Sequence, residues 1–426
     1  MKKIYVILLI GIFSMKGLSQ TTAVAPVPAE KEWDVSLYGF IRTDYMWDSR
    51  KSAQVREDNL NLYPLDEVKD VTGKDVNKVS QSNFLSVTSR LGVKAKGPNV
   101  WGAKTSGVLE GDFFGNFEGS TIGLFRLRHG YVTLDWAKTS VTMGQTWYPQ
   151  FVPEVFPGVA NFNTGIMFNP FGWATQVKVK QMLTKSISFT AVAYKEREFT
   201  TATATTGSQN SASMNSALPT LHGQFQFKGK NIIAGFGGEY KSLQPLTNNG
   251  STTNLLKTSE KVNSTSFFGY AKYSNDKIAI KAYGITGGNM YNFVMLGGFT
   301  GRTIAGSVES YAPIKTSSYW VDIASNGKSI APGIFFGYTK NDGSGEDKTK
   351  ATFVNYSRGI SGTRVVDKVM RLSGRVDFKQ NKFRVSPEVE YTVATWGDLA
   401  KSSASAAGNK KNLGNVRTMI SCSYSF

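Results

Sequence analysis

The chain has 426 residues, with 49 Lys and Arg against 31 Asp and Glu, 40% hydrophobic residues, 43 glycines and one cysteine, Cys422. A lone cysteine rules out an intrachain disulfide, and no stretch past the N-terminus holds 18 consecutive apolar residues, which excludes a helical membrane protein. A net charge of +18 would suggest nucleic acid as a partner in a cytoplasmic protein, but the first residues direct this chain out of the cytoplasm.

Lys2 and Lys3 precede an apolar run from Ile4 to Phe13, followed by Lys16 and a small polar stretch. As a helix the run would be about 15 Å long, half of a bilayer core, so residues 1–20 read as a signal peptide cleaved near Ser19 to Thr21. No cysteine stands at the expected cleavage point, which disfavours a lipoprotein anchor. Residues 21–34 carry Pro26 and Pro28 without periodicity and read as a short periplasmic lead. Export argues against nucleic acid, leaving either a basic lumen that favours anions or basic rims that meet lipid phosphates.

From residue 35 to 426 the chain is a succession of short alternating segments rich in Gly and aromatics, with no internal boundary. This pattern predicts an all-β protein, a transmembrane antiparallel β-barrel of about sixteen strands. The first strand runs from Val35 to Trp47. Val35, Leu37, Ile41, Tyr45 and Trp47 share one face, while Arg42 and Asp44 share the other. An Arg facing mid-bilayer lipid costs about 2 to 4 kcal/mol, so the charged face must look inward.

Short periplasmic turns are expected near Gly97 to Gly102, Ala137 to Thr139, Leu183 to Lys185, Gly229 to Lys230, Asn275 to Asp276, Asn326 to Lys328 and Gln380 to Asn381. Long outer loops lie around Asp48 to Gln81, Phe114 to Gly123, Tyr148 to Gly172, Arg197 to Leu218, Ser242 to Val262, Gly288 to Ile314, Asn341 to Val365 and Thr395 to Leu413. The strand signal is weakest near Tyr319 to Ala324 and Val141 to Trp147.

The loop from Tyr148 to Gly172 is chemically unlike the others. It holds Pro149, Pro153, Pro157 and Pro170 among Phe151, Phe156, Phe162, Phe168 and Phe171, with Glu154 as its only charge. A segment this apolar needs a wall to pack on. It is expected to fold into the lumen and narrow it, with Glu154 facing the basic wall; the competing possibility is an external lid or a contact between protomers.

Parity along the strands assigns the inner wall. It offers Arg42, Arg90, Lys94, Lys96, Arg126, Arg128, Lys178 and Lys180, then Arg371, Arg375, Arg384 and Arg417 from the closing strands. Such a basic ladder between low-dielectric walls concentrates anions and hands a carboxylate from one cation to the next. Asp44, Glu110, Asp112, Glu239, Asp377, Glu388 and Glu390 also point inward, so the competing reading is a wall of mutually neutralised pairs.

The chain ends on a strand, Val416 to Phe426, whose alternation finishes on Tyr424 and Phe426. A free strand edge ending on an aromatic resembles the signal that outer-membrane barrels present to their assembly machinery, edge pairing being the mechanism that makes it readable. Cys422 falls on its lipid face. Trp47, Trp136, Tyr240, Tyr273 and Tyr424 fit interfacial girdles against outer-membrane lipid and lipopolysaccharide.

Leu37-Tyr38-Gly39-Phe40-Ile41-Arg42, Ser89-Arg90-Leu91-Gly92, Glu110-Gly111-Asp112-Phe113-Phe114-Gly115, Arg126-Leu127-Arg128-His129-Gly130-Tyr131 and Met143-Gly144-Gln145-Thr146-Trp147 together resemble the DcaP-like porins. The resemblance implies a homotrimer of sixteen-stranded barrels passing small anionic solutes such as dicarboxylates by diffusion; the outer membrane of a Gram-negative cell is the expected location, and no cofactor is expected. The short proline-bearing lead departs from family members that carry a coiled-coil N-terminal segment.

Catalysis has little to stand on. His129 and His222 are the only histidines, and no Ser/His/Asp set or metal-ligand spacing stands out. His129 sits at an expected bulge, and His222 reads as a polar lumen residue beside Gln224 and Gln226. Against the channel stand a non-conducting barrel within a larger outer-membrane complex and, less supported, an outer-membrane hydrolase.

Overall fold

A computed structural model describes residues 33–56, 59–115, 123–201, 211–250, 253–303, 309–345 and 352–426. The leader expected over residues 1–20 and nearly all of the lead lie outside the described residues.

The period-two alternation produces a closed 16-stranded antiparallel barrel. Its strands are β1 (Asp34–Asp48), β2 (Gln81–Leu85 continued by Arg90–Val100), β3 (Ala103–Asp112), β4 (Arg126–Asp135), β5 (Thr139–Trp147), β6 (Trp173–Met182), β7 (Ile187–Glu196) and β8 (Thr220–Lys228). They continue as β9 (Ile232–Leu243), β10 (Val262–Ser274), β11 (Ile278–Gly288), β12 (Ser310–Ser325), β13 (Ile330–Gly343), β14 (Arg364–Gln380), β15 (Phe383–Ala400) and β16 (Lys411–Ser425). The segments with the weakest sequence signal belong to β5 and β12.

β1 closes the ring against β16 in a register running from Phe40 opposite Ser425 to Asp48 opposite Arg417. Closure leaves no free edge in hydrocarbon, where an unpaired backbone group costs several kcal/mol. Where β2 breaks between its two segments, Ser89 mends β1: the Arg42 N–H donates to its Oγ (3.0 Å), which also reaches the Arg42 carbonyl (3.2 Å). The terminal residue joins the seam too, Phe426 N–H donating to the Gly39 carbonyl at 3.1 Å.

The two faces of β1 separate as parity requires. Leu37 is 68% exposed and Ile41 61%, whereas Asp44 is 1% exposed. The long and short connections alternate as read from the sequence, with the short turns at the periplasmic end. Arg128 is the extra residue of a bulge in β4, since Glu110 faces His129 while Gly111 faces Leu127.

The inside is not an open tube throughout. Residues 148–172 fold into the barrel, and two further segments join them: a hairpin formed by Ser52–Val55 and Leu60–Pro64, and the turn around Tyr291–Phe293. Leu60, Leu62, Tyr63, Phe168, Phe171, Phe293 and Met295 form one buried cluster in the outer half. The wall facing them carries an aromatic file across neighbouring strands, with Phe268 stacked on Tyr283 at 5.8 Å, Tyr283 stacked on Trp320 at 6.1 Å and Phe335 tilted against Trp320 at 6.2 Å. This is the apolar wall that the proline- and phenylalanine-rich loop requires.

Gly337 on β13 makes the fit possible: a Cβ there would run into the Phe168 ring. Gly337→Leu is therefore expected to lift residues 148–172 off the wall, read as faster protease cleavage within this loop in an otherwise folded, heat-modifiable barrel. Unchanged cleavage would show that this contact does not hold the loop.

Candidate functional site

Most arginines of the inner wall meet a carboxylate. Arg42 pairs with Asp44 at 2.9 Å, Arg126 with Asp112 and Glu198 at 2.7 Å each, and Arg128 with Glu110 at 2.9 Å. Arg371 lies 3.3 Å from Glu390, Arg375 2.8 Å from Asp322, Arg417 2.7 Å from Asp48, and Arg90 3.6 Å from Glu110. Strand neighbours explain some of these pairs, because Arg126 faces Asp112 and Arg417 faces Asp48 in register. Others need the ring. Arg375 on β14 passes over Gly333 of β13, where a Cβ would stand 2.6 Å from the guanidinium carbon, to reach Asp322 on β12.

These pairs also hold the inner loop. Arg42 Nη2 donates to the Ala160 carbonyl (2.7 Å), and the Ala160 N–H donates to Glu388 (2.7 Å). Gly158 N–H donates to Asp322 (3.1 Å), Lys281 Nζ to the Phe156 carbonyl (3.0 Å) and Trp320 Nε1 to Asn169 (3.1 Å). Arg371 reaches furthest, with Nη1 on the Ile166 carbonyl of the inner loop (3.2 Å) and Nη2 on the Asn61 and Leu62 carbonyls of the hairpin (3.1 Å each). One guanidinium thus clamps two loops to β14 while its charge is met by Glu390. Burial pushes the Tyr63 hydroxyl of the hairpin up to about 12 and Tyr148 well above the usual tyrosine range. Tyr148 therefore stays a neutral donor, to the Glu198 carbonyl at 2.9 Å.

The loop residues singled out by sequence part company here. Phe151 stacks on Trp147 at 4.0 Å and Phe156 on Phe151 at 5.6 Å, while Phe162 meets Phe114 edge-on at 5.2 Å. Glu154 is exposed on the periplasmic side of the loop and shares a cavity of about 320 Å³ with Lys178, Lys180, Gln176, Gln224 and Gln226. It faces the lysines of β6 and not the arginines of β14 to β16.

The cations without a carboxylate within ion-pair distance, among the described residues of that wall, gather in the periplasmic half. Lys94 lies over the Tyr38 ring at 4.5 Å. Arg384 lines a second cavity, about 410 Å³, with Arg42, Lys379 and Lys382. Lys178 and Lys180 face inward from β6, opposite Thr142 and Ser140 of β5. The long-loop half has matched charges and an apolar filling, and the short-turn half holds, besides the Arg375–Asp322 pair, these cations with no carboxylate within ion-pair distance.

Sequence reading did not foresee Asp322, Lys281 or Lys241 as parts of this interior. Lys241 is 2% exposed and donates to the Asn289 carbonyl and Asn292 side chain at 2.6 Å each, pinning the turn at Tyr291–Phe293. The signal was present in the alternation of Gly237, Glu239 and Lys241 along β9. His129 is buried 3.8 Å from Glu110, and His222 hydrogen-bonds Gln224 at 3.3 Å while stacking on Phe268. Among the described residues, no group of three His, Cys, Asp or Glu side chains could hold a metal ion.

A closed 16-stranded barrel with short turns at one end, long loops at the other and a charged interior defines an outer-membrane channel. The family model for the DcaP outer membrane protein matches residues 13–296, and the chain belongs to that family. Its structure is similar to the crystal structure of the outer membrane channel DcaP of Acinetobacter baumannii, with a TM-score of 0.64, 17% identity, and 95% of this chain and 100% of that one covered. It is also similar to an anion-selective porin from Comamonas acidovorans, with a TM-score of 0.53, 13% identity, and 93% and 100% covered. OmpT of Vibrio cholerae aligns with a TM-score of 0.52, 13% identity, and 94% and 100% covered. Among proteins of curated function, no sequence matches this chain.

Arg371→Met strips Glu390 of its buried partner and frees both loops. A loss of about 3 to 5 kcal/mol is expected, measured by urea unfolding of the detergent-folded protein, with Glu390→Leu added to the same chain recovering part of it. A melt unchanged in the single variant would remove the clamp.

Proposed function

We propose that the protein is a passive diffusion channel for small hydrophilic solutes that favours anions such as small dicarboxylates, with residues 148–172 as its constriction. The observation that carries this reading is the uneven charge balance. Carboxylates meet the arginines around the loop, while Lys94, Lys178, Lys180 and Arg384 have no such partner and line the periplasmic half. Matched pairs leave little net field, whereas unmatched cations between low-dielectric walls raise the local anion concentration. The guanidinium of Arg384 has the planar fork that fits a carboxylate.

Assembly as a homotrimer, delivery to the barrel assembly machinery through β16 and removal of a leader near Ser19 to Thr21 belong to the same reading. A second reading, a non-conducting barrel serving a larger complex, is favoured by the buried cluster from three loops in the outer half. Conductance of the isolated protein separates the two.

In a planar bilayer across a salt gradient, the purified protein is expected to conduct with a reversal potential on the anion side. Lys178→Glu with Lys180→Glu should move that potential toward cations while the barrel stays heat-modifiable. Cation preference in the unaltered protein would sink the proposal, and an unmoved potential in the double variant would take the β6 lysines out of the solute path.

A further inference from the structure

The cavity under the inner loop is built differently from the rest of the interior. On its β6 side Lys178 and Lys180 present ammonium groups two residues apart, about 7 Å along the strand. On its far side stand Gln224 and Gln226 of β8, with Thr190 between: Thr190 pairs with Lys180 on one side and with Gln224 on the other. Two strand spacings, about 9.5 Å, therefore separate the cationic wall from the amide wall. Its ceiling is apolar, formed by Pro149, Phe151 and Pro153 of the loop. Glu154 is the only carboxylate on its lining among the described residues.

We propose that this cavity binds a polyhydroxylated monoanion of the sugar-acid class, its carboxylate on Lys178 and Lys180 and its hydroxyls on Gln224, Gln226 and Thr190. The inference rests on the anion-channel reading and, for this one site, replaces its dicarboxylate example with a different class of anion. The charge on the lining is one-sided: a dicarboxylate spanning the cavity would place its second carboxylate against amides, Lys228 and Lys272 lying outside the lining, and a short one such as succinate would keep to the lysines and leave the amides without a partner in the ligand. The amides are also oriented. Gln224 and Gln226 both turn their Nε2 to the Tyr270 hydroxyl, at 2.6 and 3.1 Å. The Gln226 oxygen is left to face a ligand, and an amide oxygen accepts from a hydroxyl but repels a carboxylate. The proline and phenylalanine ceiling suits the C–H face that a sugar acid presents between its hydroxyls, and 320 Å³ is at the small end for a ligand cavity.

Glu154 then has a definite role. Facing both lysines from the loop, it stands where an incoming carboxylate would go and lowers the net positive charge of the empty site. A bound anion must displace its influence, so the loop sets the affinity of the site beneath it.

The test is calorimetric titration of the detergent-folded full chain with gluconate, glucose and succinate, each variant first checked for heat-modifiability. Gluconate should bind about ten-fold more tightly than either glucose or succinate. Lys180→Met should weaken gluconate about ten-fold, Gln226→Leu should weaken gluconate while leaving succinate within about two-fold, and Glu154→Gln should tighten gluconate. Gln226→Asn, which keeps the amide and withdraws it by a methylene, replaces the leucine variant should that one fail to fold. Succinate binding as tightly as gluconate, or a Gln226 variant that weakens both anions equally, would overturn the proposal. The outcomes are separable from the channel reading: an anion-side reversal potential without gluconate discrimination removes this site alone, and gluconate binding in a cation-preferring pore removes the selectivity alone.

Discussion

A strand in hydrocarbon has no water to satisfy its backbone groups, so each N–H and C=O must find a partner in a neighbouring strand. That requirement forces β16 back onto β1 and fixes which side chains look inward. The seam from Phe40–Ser425 to Asp48–Arg417 brings Arg417 beside Asp48 and sets the β14 to β16 arginines against the start of the chain. Ser89 and Phe426 serve the same requirement at the points where regular pairing lapses. Once the ring is closed, every polar residue on the inner parity shares one narrow volume with the others, and the chemistry of the interior follows from how that volume is filled.

It is filled unequally. In the outer half, the hairpin, the inner loop and the turn at Tyr291–Phe293 put Leu60, Phe168, Phe293 and Met295 at the centre of the barrel, and charge survives there only where it is matched. Arg371 with Glu390 is such a pair and is almost fully buried, as is Arg375 with Asp322 nearer the short turns. Pairs of this kind add little net stability over an apolar core, yet losing one partner is costly. Their use is positional: Arg371 and Arg42 spend their remaining donors on loop carbonyls, so loops of different sequence origin are set on the wall at defined heights.

The periplasmic half reverses the balance. Below residues 148–172 the lysines of β6 and Arg384 have no carboxylate within ion-pair distance, and the loop supplies one acidic residue, Glu154, against the lysines. Under the proposed function, a cationic vestibule beside an electrically matched narrow part would select by concentrating anions there. The fold is that of the DcaP outer membrane family, but this distribution belongs to the residues of this chain and not to the architecture.

The sequence by itself determined the barrel, because the two-residue period of a strand and the cost of a charge in lipid are local rules. Each is satisfied one strand at a time, so Leu37 and Arg42 declare their sides without knowledge of their neighbours. The alternating turn and loop lengths, and the odd composition of residues 148–172, were legible for the same reason. The partners were not. Arg375 finds Asp322 across an intervening strand, Arg126 finds Glu198 72 residues away, and the hairpin at Leu60–Pro64 turns inward although its composition alone does not mark it. Which cations are cancelled and which stay free depends on distances around a closed ring, and those exist only once the last strand has met the first.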